Sequence, residues 1–390
     1  MIEKIVDGIK IHEWKYQNTN GDDTGYKDLN EGILKTFNCE SFAQLGEEEK
    51  KGYNDNNLSI IRERGINPEV YYYSHQHIID EIKYCKEKEL PIFNGEILDK
   101  RPTLGNLLLK FLFPNFHLID CKGVKDNSLY ARWLDDHKMW RSIEYCLNFK
   151  QKVKEPVLSY SIARGMEMIG GNTGNNYLPM KVRIFLEYYM PDGGNYLDFS
   201  CGFGGRLLGA LTSNKGDITY YGFEPNSETY YHLNELKEYI KEALGVEDNR
   251  IKLYKQGSEV ELPSEIEGNI DFAFSCPPYF NLEQYCEEDT QCYIKYPNIK
   301  DWLDGYVKNT IINLYKALKP NAYYAVNIAD FKVGSEQVKF VDEWIKLSEE
   351  NGFKYIKAIP VKMGKARPNN SSERNVYVPK DEAIYLFQKV

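Results

Sequence analysis

The chain has 390 residues, of which 42% are hydrophobic and 27% charged, so we expect folded protein throughout and more than one domain. Its formal net charge of -9 argues against a surface that binds nucleic acid everywhere, and such binding would require a local basic region. The eight cysteines contain no Cys-x-x-Cys pair, so neither a disulfide framework nor a metal site is expected. The start of the chain lacks the apolar core of a signal peptide, and the most apolar run, 104–113, is too short to cross a bilayer. These features predict a cytoplasmic protein without membrane contact.

Residues 1–158 are predicted to form a mixed, mainly helical domain. Ser74 is placed to cap its clearest helix, and further helices are expected over 103–113 and 137–149. The apolar residues that share one face of the first helix are Ile78, Ile79, Ile82 and Cys85. This half carries no motif with evident chemistry, so we interpret it as a region that recognises the target or a partner.

From residue 159 the pattern changes to strand-like runs that alternate with amphipathic helices. This alternation predicts an α/β domain over 159–390 with a mainly parallel sheet. The predicted strands cover 196–199, 219–223, 251–254, 270–275, 322–328, 353–361 and 383–389. The predicted helices cover 180–190, 206–213, a stretch that begins at 227, 301–318 and 336–350. The last two strands are expected to be antiparallel.

The first motif with chemical meaning is a glycine-rich turn between a strand and a helix. Asp198 ends the strand, and Ser200, Gly202 and Gly204 follow it. Glycines let the backbone approach a ligand closely, and the next helix offers free N–H groups. Asp198 is placed to receive an ammonium group, and Glu224, after the next strand, to accept hydrogen bonds from ribose hydroxyls. The fingerprint of nicotinamide dinucleotides is not met, because the third glycine, Gly209, falls two positions late.

The second motif is Cys276-Pro277-Pro278-Tyr279, directly after the predicted strand 270–275. Two prolines stiffen the backbone at the sheet edge where α/β proteins bind their ligands. Rigid carbonyls there can accept hydrogen bonds from an exocyclic amine, and Tyr279 can stack on a base turned out of its helix. The predicted catalytic residues are therefore those of this motif.

Taken in this order, the motifs resemble those of the amino-methyltransferases of nucleic acids, which make N6-methyladenine and N4-methylcytosine. The resemblance covers about residues 170–390, and the sequence around Tyr279 is most similar to methyltransferases of phages and bacteria. It implies a Rossmann-like methyltransferase domain, S-adenosylmethionine as cofactor, and nucleic acid as partner, with DNA ahead of RNA. The segment 256–259 resembles the family's adenine-contacting segment, and 176–179 its N-terminal cofactor motif. The implied cofactor-binding residues are Asp198, Ser200, Gly202, Gly204, Glu224, Ser258, Glu259 and Pro179.

One departure from the family lies at Cys276, where the family has Asp, Asn or Ser. A thiol is a weak hydrogen-bond acceptor, and Ser275 lies one residue early, on the opposite strand face. Three interpretations stay open: Cys276 replaces Ser in an active enzyme, the chain binds without turnover, or Cys276 is the nucleophile of a pyrimidine carbon-5 enzyme. A methyltransferase for RNA or protein is the remaining alternative.

Two further regions are expected to face the target. The polar and aromatic loop 280–298 is predicted to close over it. The three cations Lys365, Arg367 and Arg374 lie in a basic stretch of an otherwise acidic chain, and we expect them to contact phosphate.

Overall fold

The structure is a computed structural model whose described residues form two compact units. The described residues are 1–14, 46–63, 73–96, 98, 103–121, 126–150, 165–166, 174, 176–361 and 383–390. Unit 1 draws on Met1–His77, Lys110–Asn175 and Glu283–Tyr285, and unit 2 on Ile78–Leu109, Asn176–Leu282 and Cys286–Val390. The predicted domain boundary at residues 158 and 159 lies outside the described residues.

Helices and strands alternate in the second half of the chain. The helices are α1 (Glu47–Glu63), α2 (His75–Glu87), α3 (Asn106–Leu112), α4 (Leu129–Leu134), α5 (Asp136–Lys150), α6 (Pro179–Tyr189), α7 (Gly205–Leu211), α8 (Ser227–Leu244), α9 (Cys292–Lys295), α10 (Ile299–Trp302), α11 (Lys308–Ala317) and α12 (Phe340–Glu350). The strands are β1 (Ile2–Val6), β2 (Ile9–Glu13), β3 (Asp120–Cys121), β4 (Gly193–Asp198), β5 (Asp217–Phe223), β6 (Ile251–Tyr254), β7 (Ile270–Ser275), β8 (Glu283–Gln284), β9 (Leu318–Ile328), β10 (Phe331–Val333), β11 (Glu336–Val338), β12 (Phe353–Pro360) and β13 (Ala383–Lys389). Shorter helical turns lie at Pro114–Leu118, Asp248–Arg250 and Leu303–Val307.

The described part of the N-terminal half is mainly helical, as predicted. The helix α2 begins one residue after Ser74, whose Oγ accepts a hydrogen bond from the His77 backbone N–H at 3.3 Å. The residues predicted for its apolar face are all buried, namely Ile78, Ile79, Ile82 and Cys85. Unit 1 contains the antiparallel hairpin β1–β2, which the sequence analysis does not predict, whereas the buried face of α2 belongs to unit 2.

Unit 2 is built on a seven-stranded, mainly parallel sheet, which confirms the predicted Rossmann-like α/β class. The strand order is β12-β13-β9-β7-β4-β5-β6. The six parallel strands are, in chain order, β4, β5, β6, β7, β9 and β12. Numbered 1 to 6 and read from the β6 edge, they have the order 3-2-1-4-5-6 of a doubly wound sheet. The strand β13 is inserted between β9 and β12 and is antiparallel to both.

Helices cover both faces of this sheet, because successive strand residues point to opposite sides. On one face, Phe272 and Phe274 of β7 pack against Phe185 of α6. On the other face, Leu197 and Ala273 belong to a buried cluster with residues of α11 and α12. The burial of each large apolar side chain stabilises the fold by about 1.5–3 kcal/mol. The sheet is thus fixed from both sides and forms a rigid support for the loops at its edges.

Two predicted helices differ from the observed ones. The segment predicted as one helix over 301–318 contains the end of α10, the π-helical turn Leu303–Val307 and α11, followed by the first residue of β9. The helix predicted over 336–350 begins only at Phe340, since Glu336–Val338 pairs with Phe331–Val333 as a hairpin. Gly334 has a φ of 60° and makes that turn without strain. No helix in the described part of the chain is long and apolar enough to cross a membrane.

Candidate active site

The carboxyl ends of β4, β5 and β7 lie side by side and bring the two sequence motifs together. In the parallel register, Asp198 is opposite Gly222, and Leu197 is opposite Ala273. The glycine-rich turn, Glu224 and Cys276 therefore follow neighbouring strands at one edge of the sheet. Ligands of doubly wound sheets bind at this edge.

The glycine-rich turn leaves open space above it. Gly202 and Gly204 have φ values of 54° and 71°, a left-handed conformation that suits glycine, and Gly204 caps α7. A Cβ on Gly202 would have no atom within 4 Å, whereas one on Gly205 would collide with the carbonyl oxygen of Tyr177. The turn is thus packed tightly on its inner side and accessible at Gly202.

Asp198 lies beneath this turn in a fully buried hydrogen-bond network. It is 0% exposed and forms a salt bridge with Arg206, whose Nε lies 2.9 Å from both carboxylate oxygens. The hydroxyls of Tyr220 and Ser275 donate to it at 2.8 and 2.7 Å, and the Ser200 backbone N–H donates at 3.3 Å. These donors satisfy a buried carboxylate that would otherwise be strongly destabilising. Asp198 therefore positions the surrounding residues, and its predicted contact with an ammonium group stays a prediction.

Arg206 joins Asp198 to the glycine-rich turn. Its guanidinium also donates to the carbonyl oxygen of Ser200 and lies 5.6 Å from the centre of the Tyr177 ring. Burial opposes the positive charge, but the neighbouring Asp198 carboxylate outweighs it and keeps the pKa of Arg206 above its ordinary value. Cys276 is among the groups that contribute to this raised pKa, so its thiol lies in the electric field of a cation.

Glu224 contacts the backbone of the glycine-rich turn at Gly202. It is 8% exposed and accepts hydrogen bonds from the backbone N–H groups of Gly202 at 2.9 Å and Asn226 at 3.0 Å. Burial raises the pKa of Glu224 to about 7, although both backbone donors favour the ionised form. Each carboxylate oxygen has a further lone pair, so Glu224 can accept additional hydrogen bonds from a ligand.

The segment after β6 contains the buried carboxylate of Glu259. The Glu259 side chain is 3% exposed, and its Oε1 accepts from Lys295 Nζ at 2.9 Å. Its Oε2 is buried and has no hydrogen-bond partner among the described residues. A Cβ on Gly257 would collide with this atom, so a larger residue there would displace the Glu259 carboxylate. Ser258 is held by Thr310, with 3.0 Å between their hydroxyl oxygens.

Cys276 and the prolines follow the last residue of β7. Cys276 is half-buried, Pro277 is buried and Pro278 is half-buried. The hydroxyl of Ser275, the residue before them, donates a hydrogen bond to Asp198. The motif is therefore anchored at its base to the network beneath the glycine-rich turn.

Tyr279 is half-buried and held by two edge-to-face aromatic contacts. Its ring centre lies 5.7 Å from that of Phe331 and 5.8 Å from that of Phe340. The following residue, Phe280, is buried and has a φ of 50°, which is unfavourable for a bulky side chain. Such strain is held by the surrounding packing, here against Trp302 at 5.9 Å. The Tyr279 ring is thus fixed in orientation, and its predicted stacking on a base stays a prediction.

The loop 280–298 is attached to the start of α8, close to Glu224. Glu288 accepts from the Ser227 backbone N–H at 3.1 Å and from the Ser227 hydroxyl at 2.9 Å. The hydroxyl of Thr290 donates to the Pro225 carbonyl oxygen at 3.2 Å. Acidic side chains are stabilised at a helix N-terminus, so these contacts fix the loop beside the turn. Its closure over a target stays a prediction.

The remaining predicted site residues lie in two places. Pro179 is buried, begins α6 and packs on α7, where a Cβ on Gly209 would collide with its carbonyl oxygen. The basic residues Lys365, Arg367 and Arg374 lie outside the described residues. Within the described part of the chain, no group of three or more His, Cys, Asp or Glu side chains could hold a metal ion.

Three residues of the site are absent from the sequence prediction: Arg206, Tyr220 and Tyr306. The sequence analysis names Ser275 only as the neighbour of Cys276 and does not predict its hydrogen bond to Asp198. Tyr306 lies on the π-helical turn, is buried, and has its hydroxyl 3.3 Å from Ser200 Oγ. Such turns occur often at functional sites, but their position is not evident from hydrophobic spacing. Arg206 had a detectable signal, because an aspartate in an apolar strand requires a buried partner.

No family model and no curated protein matches the chain. Solved structures do match in part. The (4+2)-cyclase SpnF is 12% identical, with 46% of this chain and 59% of that chain covered and a TM-score of 0.32. TrmN from Thermus thermophilus is 15% identical, with 54% and 49% covered and a TM-score of 0.35. The 1,6-didemethyltoxoflavin-N1-methyltransferase of Burkholderia thailandensis, solved with S-adenosylhomocysteine, is 12% identical, with 54% and 77% covered and a TM-score of 0.35.

The chain thus spans less than two thirds of the length of SpnF and of TrmN. TM-scores of 0.32 to 0.35 carry no conclusion about activity. The fold class follows from the strand order of this chain, and a fold of this kind supports several chemistries.

Proposed function

We propose that residues 159–390 bind S-adenosylmethionine and transfer its methyl group to an exocyclic amino nitrogen of a nucleic-acid base, with DNA ahead of RNA. Residues 1–158 recognise the target or a partner. The observation that supports this best is the hydrogen bond of 2.7 Å between Ser275 and Asp198. It connects the ends of two neighbouring strands, one leading into the glycine-rich turn and the other into Cys276-Pro277-Pro278-Tyr279.

Three features of the site suit the cofactor. The space above Gly202 admits a ligand close to the backbone. Glu224 has lone pairs left for the ribose hydroxyls. The buried Oε2 of Glu259 requires a donor, and the amino group of adenine is a donor of the right kind.

The target side of the site is rigid. The carbonyl oxygens of Cys276 and Pro277 can accept hydrogen bonds from the target amine, while the Tyr279 ring supports the base. When bound, S-adenosylmethionine supplies an electrophilic methyl group and leaves as the neutral thioether. The amine nitrogen donates its lone pair to that carbon and releases one proton to water. The contribution of this chain is therefore positioning, which by itself can lower a barrier by about 7–11 kcal/mol.

The direct test is incubation of the full chain with methyl-labelled S-adenosylmethionine and duplex DNA, single-stranded DNA or RNA, followed by nucleoside mass spectrometry. We expect label on N6-methyladenine or N4-methylcytosine from DNA. Glu259→Ala should reduce the yield at limiting cofactor, and Glu247→Ala, an exposed residue after α8, serves as the matched control.

Other outcomes would contradict the proposal in defined ways. Cofactor binding without label in any polymer would indicate a binding protein. Label on carbon 5 of a pyrimidine would indicate covalent chemistry at Cys276. Label in RNA alone would retain the reaction and reverse the choice of polymer.

A further inference from the structure

A cavity lies at the edge of the sheet opposite the candidate active site, where the parallel strands begin. Its volume is about 370 Å³, which is within the range of small-molecule sites. It is lined by the start of β5, by the ends of α7 and α8, and by one side of α2. The cofactor site proposed above lies at the carboxyl ends of these strands, so the two sites are separate.

Cations from two elements converge on this cavity. Lys83 and Lys86 come from α2, and Arg250 precedes β6. The Lys86 ammonium donates to the carbonyl oxygen of Ser213, and the Arg250 guanidinium donates to that of Ile218 at 2.7 and 3.1 Å. These carbonyl bonds fix both cations in place without neutralising their charge.

The side chains that line the cavity include more cations than carboxylates. Three cations, Lys83, Lys86 and Arg250, face two carboxylates, Glu87 and Asp217. Asp217 is paired with Arg250 at 2.8 Å, but its carboxylate is 91% exposed, so solvent screens that pair.

The pKa of Lys86 reflects this excess of positive charge. Burial, followed by the charges of Arg183 and Arg250, lowers its pKa from the ordinary value. Glu187 also acts on Lys86 but is engaged by Arg183 at 2.9 Å, and Asp217 by Arg250. An anion in the cavity would supply the missing negative charge.

We infer that this cavity binds a phosphate group, either as a small phosphate ester or as part of a polynucleotide backbone. Lysine and arginine side chains from two sides form charged hydrogen bonds with phosphate oxygens, and the two negative charges of a phosphate dianion match the excess of cations better than the single charge of a carboxylate. The apolar surface of Ala210, Ile218 and Ala243 beside the cations can receive a small apolar part of the ligand. The site is independent of the proposed methyl transfer.

Calorimetry of the full chain with inorganic phosphate, against chloride at equal ionic strength, tests this inference. We expect Lys83→Met and Lys86→Met each to weaken phosphate binding about tenfold, the usual effect of a lost charged hydrogen bond. Lys83 is exposed, so its replacement leaves the fold intact. Lys88→Met, just beyond the end of α2 and not part of the lining, is the matched control and should bind as the wild type.

Saturating S-adenosylmethionine should leave phosphate binding unchanged. A duplex oligonucleotide then identifies the source of the phosphate. Weaker duplex binding by both variants, with a smaller salt dependence, indicates a polynucleotide, and unchanged duplex binding indicates a small ester. The inference fails if the wild type does not bind phosphate, if Lys86→Met binds it normally, or if S-adenosylmethionine displaces it.

Discussion

Ser275 donates a hydrogen bond of 2.7 Å to Asp198, and each of the two residues is the last one of its strand. The strands are parallel neighbours, β7 and β4, and the chain continues from them into Cys276 and into the glycine-rich turn. A displacement of either loop must therefore strain this contact. The two motifs are held at a fixed separation by buried side chains rather than by the loops themselves.

Loss of this contact should destabilise the chain and slow turnover. For Ser275→Ala we expect the free energy of unfolding to fall by roughly 1.5–3 kcal/mol, because a hydrogen bond to a buried carboxylate is lost. We also expect kcat to fall more than the affinity for S-adenosylmethionine. Denaturant unfolding and steady-state kinetics measure both effects. The exposed Ser264→Ala is the control, and equal stability of the two variants would contradict the role of the contact.

The salt bridge between Arg206 and Asp198 should be the most sensitive pair of the site. Arg206→Met leaves a carboxylate buried without its cation, which typically costs about 3–5 kcal/mol. Asp198→Asn in the same chain removes the unpaired charge and should recover part of the loss. Chemical denaturation of the single and double variants gives the coupling energy. A single Arg206→Met variant as stable as the wild type would exclude a stabilising pair.

The sequence predicts the strands better than the helices around the site. Strands β6 and β7 have the predicted bounds, because each is a short apolar run between polar segments. The predicted start of α12 at residue 336 was wrong, because the turn at Gly334 folds Glu336–Val338 back onto Phe331–Val333. That pairing depends on residues outside the helical pattern, so periodicity within one segment does not reveal it.

The same limit applies to the site. Asp198, Glu224 and Cys276 are placed correctly at one sheet edge, because each follows a parallel strand and those ends must coincide. The partners of Asp198 are not predictable in this way. Which cation reaches a buried carboxylate depends on the rotation of α7 about its axis, and that rotation is set by packing against α6.

Glu224 should make stability and cofactor binding depend on pH in opposite directions. Its pKa is raised by burial from 4.5 to about 7, so the folded state retains a proton that the unfolded chain releases between these values. The free energy of unfolding therefore falls as pH rises from about 4.5 to about 7, and Glu224→Gln should remove that loss. Ribose hydroxyls donate to the carboxylate form, so the affinity for S-adenosylmethionine should rise through about pH 7.

Calorimetry at several pH values measures this affinity. Glu224→Ala should weaken cofactor binding by roughly 1–3 kcal/mol at pH 8, where the wild-type carboxyl is ionised. The profile of Glu224→Gln should be flat in this range. Unchanged affinity in Glu224→Ala would remove Glu224 from the ribose contact.

Charge reversal in the basic stretch should weaken nucleic-acid binding. Lys365→Glu together with Arg367→Glu places negative charge where we predict phosphate contacts, and Arg374→Glu tests the third cation. Fluorescence anisotropy with duplex DNA at several salt concentrations should show weaker binding and a smaller salt slope. Lys346→Glu, on the exposed side of α12, is the control. An unchanged slope would place the contact surface elsewhere.

The nature of Cys276 decides between chemistry at nitrogen and chemistry at carbon. Burial raises the pKa of Cys201, Cys286 and Cys292, so these thiols stay protonated near neutral pH. Cys276 is half-buried and lies in the field of Arg206, which makes it the cysteine to examine. A serine hydroxyl forms stronger hydrogen bonds than a thiol but is far less nucleophilic at neutral pH.

If Cys276 replaces the serine of the related motif, Cys276→Ser should retain or raise methylation. If Cys276 is a covalent nucleophile, the same variant should lose turnover, and the wild type should form an adduct with a 5-fluoropyrimidine substrate that survives denaturation. Intact-protein mass spectrometry detects the adduct, with Cys286→Ser as the control for a neighbouring thiol. We expect retained methylation and no adduct, because two prolines follow Cys276 and their rigid carbonyls suit an amine. A trapped adduct, or complete loss of activity in a well-folded Cys276→Ser variant, would move the chemistry from nitrogen to carbon.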